Sequence, residues 1–152
     1  MRLTAKGEYG VRAMVHLAFH YRDGPVPLKA IAKVENISFQ YLEQIFPDLR
    51  RHGLVNSVRG PKGGYMLARH PRDIRVGDIL RALEGPINPV SCFSEERREE
   101  RSCPGPEQCK TRFVWEILRD RINDVLDSIT LEDLVRWEPS QNTVKDKGFK
   151  EV

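Results

Sequence analysis

The sequence predicts a mainly α-helical chain with a small two-stranded β-hairpin: a winged helix-turn-helix followed by a long C-terminal dimerisation helix. Three runs of helical period fill the chain up to Gly53. An alternating run then meets the glycine-rich stretch "RGPKGG" and returns as "YMLA". Finally, "FVWEILRDRINDVLDSIT" steps its apolar residues by three and four, as a pairing helix does.

Each element has its own local reason. Thr4 is placed to cap a first helix, "AKGEYGVRAMVHLAFHYR", with Val11, Met14, Val15, Ala18 and Phe19 at helical spacing before the turn "DGP". "LKAIAKVE" gives a short second helix with Leu28, Ile31 and Val34 on one face. Ser38 caps a third, "FQYLEQIFPDLRRHG", in which Tyr41 or Leu42, Ile45 and Leu49 repeat and Gly53 closes the end. Pro47 lies inside that helix and predicts a kink or a lost hydrogen bond. "LVNSV" and "YMLA" read as the strands of the hairpin, and "VGDILRALEG" as a fourth helix closed by Gly85. In the C-terminal helix Trp115, Leu118, Ile122, Val125 and Ile129 form the seam. A helix packed on its own domain would share that spacing, but the polar flanks Glu116, Arg119, Asp120 and Asp124 favour pairing between chains.

The expected organisation is a DNA-binding domain over 1–84, a cysteine-containing loop over 85–110, the pairing helix with a short following helix over 111–137, and a disordered tail over 138–152. At 152 residues, 39% hydrophobic and 31% charged, the chain suits one domain plus an oligomerisation element. No apolar run approaches the ~20 residues that cross a bilayer. Glu8 and Arg12 interrupt any apolar core of a signal peptide, so a cytoplasmic address without membrane contact is expected. In that compartment thiols stay reduced, and metal or redox chemistry suits the cysteines better than disulfides.

The net charge of +3 says little, but its distribution says more. From Arg50 to Arg81 eight Lys/Arg residues face only Asp73 and Asp78, which suits a polyanion face or a solvated basic surface. In a helix-turn-helix the second helix enters the major groove with its N-terminal residues at base edges. Here that places Ser38, Gln40, Glu43 and Gln44. Glutamine pairs with adenine, glutamate accepts from the cytosine amino group, and serine serves either way. Arg59 at the hairpin tip suits a minor groove, Lys62 a phosphate, and the glycines a close backbone approach. A nucleotide cradle would need GxxxxGK[ST] leading into a helix, whereas this loop leads into a strand.

Cys92, Cys103 and Cys109 lie in "SCFSEERREERSCPGPEQCK", one thiol short of a tetrahedral set. Three thiolates with one unlike ligand suit an iron–sulfur cluster, and three with a carboxylate would also satisfy zinc. No nucleophile–base pair or paired acid stands out, so no enzyme is expected. An electron carrier is disfavoured by the recognition helix and hairpin.

"MRLTAKGEYGVRAM", "YLEQIFPDLRRHGLVNSVRGPKGGYML", "VGDIL" and the three cysteines followed by "ITLEDLV" resemble the bacterial Rrf family of repressors, above all its iron–sulfur cluster regulators. The resemblance runs from Met1 to about Trp137. It implies a homodimeric transcription factor on a double-stranded DNA operator, with a cluster near the dimer helix that alters DNA binding. Carried over by position, Ser38, Gln40, Tyr41, Glu43 and Gln44 fall on the recognition helix. Arg59, Gly60, Pro61, Lys62, Gly63, Gly64 and Tyr65 fall on the wing, and Cys92, Cys103 and Cys109 on the cluster thiolates. A 2Fe–2S cluster is expected ahead of a 4Fe–4S one.

The sequence departs from this pattern twice. The spacing between Cys92 and Cys103 is longer than usual, and Arg112 stands where a ligand histidine is expected. Some nitric-oxide and redox sensors of the family complete the site with an acidic residue near the start of the partner's first helix, a place Glu8 occupies. Control of cluster-assembly genes is the leading expectation. Nitric-oxide or redox sensing and a cluster-free thiol regulator are the alternatives. The insert "SEERREER" is read as a solvated loop that orders when its flanking cysteines close on a cluster.

Overall fold

The structure, a computed structural model, describes residues 3–93 and 107–138. The elements are α1 (Ala5–Phe19), α2 (Leu28–Glu35), α3 (Phe39–Arg51), β1 (Val55–Val58), β2 (Gly64–Leu67), α4 (Val76–Glu84), α5 (Arg112–Ser128) and α6 (Leu131–Arg136). Short 3-10 turns cover Pro71–Asp73 and Ser91–Phe93. β1 and β2 pair antiparallel from Val55 opposite Leu67 to Val58 opposite Gly64. This is the helical chain with one hairpin that the sequence predicts. Cys103, the insert "SEERREER" and the tail from Pro139 lie outside the described residues.

The start of α1 is held from two sides. Thr4 accepts from the Lys6 N–H, and Glu84 Oε1 accepts from the Thr4 N–H at 3.1 Å, the Thr4 hydroxyl at 2.7 Å and the Gly7 N–H at 3.0 Å. These bonds satisfy donors that a helix N-terminus leaves unpaired. The buried face of α1 runs through Gly7, Gly10, Ala13, Met14, Leu17 and Ala18. It is rotated from the expected stripe, and Phe19 is exposed. The glycines set that rotation: a Cβ on Gly10 would strike Leu83, and one on Gly7 would lie 2.9 Å from Leu80 Cδ2. α4 therefore packs directly on the α1 backbone.

α2 ends at Asn36, whose φ of 53° makes the left-handed turn that short polar side chains tolerate. Ile31 is buried from α2, while Val34 is exposed instead of sharing its face. Ile37 is also buried, and the Ser38 hydroxyl accepts from the Tyr41 N–H at 3.0 Å to cap α3. Leu42, Ile45, Phe46 and Leu49 fill the core between α1 and α4. α3 continues through Pro47, and Glu43 and Pro47 both lie on its exposed side, where a carbonyl left without its helical donor can be solvated.

The hairpin has a third partner absent from the sequence prediction. Val26 exchanges backbone hydrogen bonds with Tyr65, at 2.8 and 2.9 Å. A Cβ on Gly64 would collide with the Val26 carbonyl and lie 2.7 Å from the Pro27 nitrogen. Backbone cannot yield as a side chain does, so Gly64→Ala should cost about 1–3 kcal/mol, the usual range for overpacking. A lowered urea midpoint checks this; an unchanged one would mean that the bridge parts freely.

α5 has no fully buried residue. Ile122, Leu126 and Ile129 pack on Val76, Leu80 and Ile87, while Phe113, Val114 and Leu118 are 69%, 55% and 41% exposed. The predicted seam is thus divided, with Ile122 and Ile129 turned toward their own chain. Arg81 fastens α4 to α5 by pairing with Asp127 and donating to Asn123 Oδ1 at 3.1 Å. After α5 the chain returns to the core: Leu131 is fully buried and its N–H donates to the Ile74 carbonyl at 2.9 Å.

Candidate nucleic-acid interface and cysteine site

Two exposed surfaces meet at one end of the fold. On the first two turns of α3 and at its cap, Ser38, Gln40, Glu43 and Gln44 are exposed. Tyr41 is half-buried, its ring edge-on to Tyr9 of α1 at 5.5 Å. It therefore anchors the helix as well as facing its outer surface. On the hairpin Arg59, Gly60, Pro61 and Lys62 are exposed, and Gly63, Gly64 and Tyr65 half-buried. Gly60 has φ 113°, and its carbonyl accepts from the Gly63 N–H at 2.9 Å, which makes the tight tip. Tyr65 packs on Phe46 of α3 with centroids 4.6 Å apart. Recognition helix and hairpin are thereby joined through side chains of one core. Neither Arg59 nor Lys62 has an ion-pair partner among the described residues.

The two described cysteines approach the foot of α5. Cys92 is exposed in the turn Ser91–Phe93, and Cys109 is half-buried just before Thr111 and α5. The ring of Phe93 lies beneath the guanidinium groups of Arg112 at 5.8 Å and Arg119 at 4.7 Å. These cation–π contacts hold the Cys92 turn against the opening turns of α5. Arg112 also donates to Glu116 at 2.6 Å. The residue in the expected histidine position thus serves as a clasp, and a guanidinium has no acceptor with which to bind a metal.

Cys109 is chemically biased. The Thr111 hydroxyl, 3.4 Å from its sulfur, is the first cause pulling the thiol below its usual range. Backbone N–H groups of Thr111 and Arg112 and the charge of Arg112 act in the same direction, against partial desolvation. The thiolate is the form that binds metal. Thr111 went unread in the sequence, although a hydroxyl two residues past a cysteine can serve as a donor.

Glu8 is exposed on the first turn of α1, and its carboxylate has no partner among the described residues. All four histidines are engaged: His16 with Glu35, His20 with Asp23, His52 with the Asp48 carbonyl, and His70 with the Arg72 N–H. Among the described residues of one chain, no group of three or more His, Cys, Asp or Glu could hold a metal ion. The donor chemistry at the foot of α5 nonetheless suits a thiolate-bound centre: one biased thiol, a second on an exposed turn nearby, and a free carboxylate elsewhere on the surface. No helix among the described residues is long and apolar enough to cross a membrane.

A family profile described as "Rrf2: Iron-dependent Transcriptional regulator" matches residues 3–137. The chain belongs to the Rrf2 family. Its relatives include the HTH-type transcriptional regulator IscR of Pectobacterium atrosepticum, 46% identical over 135 residues that make up 89% of this chain and 79% of that one. Among solved structures, IscR of T. potens superimposes with a TM-score of 0.74 at 44% identity, covering 94% of this chain and 93% of the other. CymR (YrzC), the global cysteine regulator of B. subtilis, gives 0.74 at 42% identity, covering 89% and 96%. This Rrf2 protein is a DNA-binding transcriptional regulator with a winged-helix fold.

Proposed function

We propose that this Rrf2 protein is a homodimeric, cytoplasmic repressor that senses iron–sulfur status and controls cluster-assembly genes. In this reading Cys92, Cys103 and Cys109 of one subunit hold the cluster together with Glu8 of the partner subunit. The observation that supports it is that Cys109 directly precedes α5, and the Cys92 turn is held against α5 through Phe93, beside the uncovered apolar residues Phe113, Val114 and Leu118. A second α5 would cover that face and bring another α1 toward the cysteines. A cluster so bound supplies a redox-sensitive tie between subunits, in the 2Fe–2S form ahead of 4Fe–4S.

The chain's own residues do the reading. Gln40 and Gln44 offer bidentate pairing to adenine, Glu43 accepts from a cytosine amino group, and Ser38 and Tyr41 complete the base-facing set. Arg59 enters the minor groove and Lys62 meets phosphate. Gly60, Pro61, Gly63 and Gly64 keep the hairpin thin, and Tyr65 seats it on α3. Loss of the tie at Glu8 changes how the two recognition helices are spaced, and half-site spacing governs affinity.

The test compares operator binding by loaded and cluster-free protein. The affinities should differ by about 5–150-fold, the usual range of allosteric coupling; equal affinities contradict sensing. Lys62→Ala should weaken operator and unrelated DNA alike and flatten the salt slope by about one unit per subunit. A nitric-oxide or redox-sensing repressor of the same family is the second reading. It is favoured by the use of Arg112 as a clasp, which leaves the fourth position to a carboxylate. A cluster-free thiol switch draws on the lowered Cys109 pKa and the likeness to a cysteine regulator.

A further inference from the structure

Between α3 and the hairpin lies a shallow hollow lined by Pro47, Arg50, Arg51 and Tyr65, which the proposed function leaves unused. Tyr65 on Phe46 holds β2 against the second half of α3 and forms one wall. Arg50 and Arg51 rise from the last turn of α3, both exposed. A helix C-terminus favours nearby cations, which explains basic residues there but not their place around a concavity.

Arg51 is oriented: its Nη2 lies 3.1 Å from Asp48 Oδ1. Asp48 would repel an anion in the hollow, but its other oxygen accepts from Lys6 of α1 at 2.7 Å. Two cations, Lys6 and Arg51, thus hold one carboxylate between them, while Arg50 has no ion pair among the described residues. When a helix lies in the major groove and the adjoining hairpin enters the neighbouring minor groove, the ridge between them is a sugar–phosphate strand. That ridge has to pass between α3 and the hairpin.

We infer that the hollow is a binding site for a phosphodiester of the DNA backbone, contacted by Arg50 and Arg51. Asp48 positions Arg51, and Lys6 offsets the carboxylate. The site rests on the DNA-binding reading above and adds to it a sequence-independent clamp between the two base-reading elements.

The test is fluorescence anisotropy of the full chain on an operator duplex and on an unrelated duplex of equal length, across a salt series. Arg50→Gln and Arg51→Gln should each weaken both duplexes by a similar factor and flatten the salt slope by about 0.9 per subunit. Arg51→Lys should recover part of the loss. Arg136→Gln, an equal charge change on α6, should leave the slope nearly unaltered. Unchanged slopes for both arginine variants, with wild-type binding intact, would overturn the phosphate site alone. A loss confined to the operator with the slope preserved would make these residues base readers and overturn it equally. Wild-type protein that binds neither duplex in any state of loading would overturn the DNA reading and the site together.

Discussion

Glu8→Ala is expected to shorten the lifetime of an anaerobically loaded cluster by about 10–100-fold, the range seen when a supporting group at a metal site is removed. Apo-protein should keep its DNA affinity. The separation follows from how α1 is held: Glu84 caps its first turn through three hydrogen bonds, and Lys6 reaches Asp48 of α3. Glu8 takes part in neither contact, and its carboxylate faces outward without a partner among the described residues. Truncating it removes the proposed ligand and leaves the recognition helix where it was. Decay of visible absorbance under a chelator measures the lifetime. An unchanged decay would place the fourth ligand elsewhere.

Arg59→Ala should weaken operator binding by about 1–3 kcal/mol, roughly 5- to 150-fold, as for a side chain that reads a groove. Stability should move by no more than about 0.5 kcal/mol, since the side chain is exposed and unpaired. The hairpin keeps its shape through the Gly63–Gly60 hydrogen bond, the bridge to Val26 and the Tyr65–Phe46 contact, none of which involves Arg59. The loss should be greatest on sites with a narrow, A·T-rich minor groove, where the potential favours an inserted guanidinium. A uniform loss on all sequences, with the salt slope reduced by about one, would make Arg59 a phosphate contact instead.

What the sequence reveals of the fold and what it hides are separated by range along the chain. Caps and turns were legible because they are local: Thr4, Ser38 and Gly53 all act within a few residues of themselves. The face of α1 was not, because a hydrophobic pattern assigns weight to Phe19 and none to Gly7 and Gly10. Those glycines decide the packing by what they lack. The Val26–Tyr65 bridge was hidden for a similar reason, since a pairing of backbone atoms from distant segments leaves little mark in either segment. The division of the α5 seam depends on where α4 stands, which spacing cannot report.

The candidate site shows the same split. Outward-facing polar residues on α3 and the hairpin were readable from period and turn chemistry. Arg112 was legible as a departure from the histidine pattern, but its use was not: the Phe93 stack and the Glu116 bond need the fold to bring them together. Thr111 and the Arg50–Arg51 hollow belong to the same class, being ordinary residues made specific by their neighbours.

Whether this Rrf2 regulator senses through a cluster is decided by iron and sulfide quantitation with a visible spectrum on anaerobically purified protein. The expected result is visible absorbance with about two irons and two sulfides per subunit, as a 2Fe–2S centre requires. About four irons would move the protein to the nitric-oxide-sensing reading. Zinc without sulfide, or anaerobically purified protein with neither iron nor sulfide, would contradict cluster sensing outright.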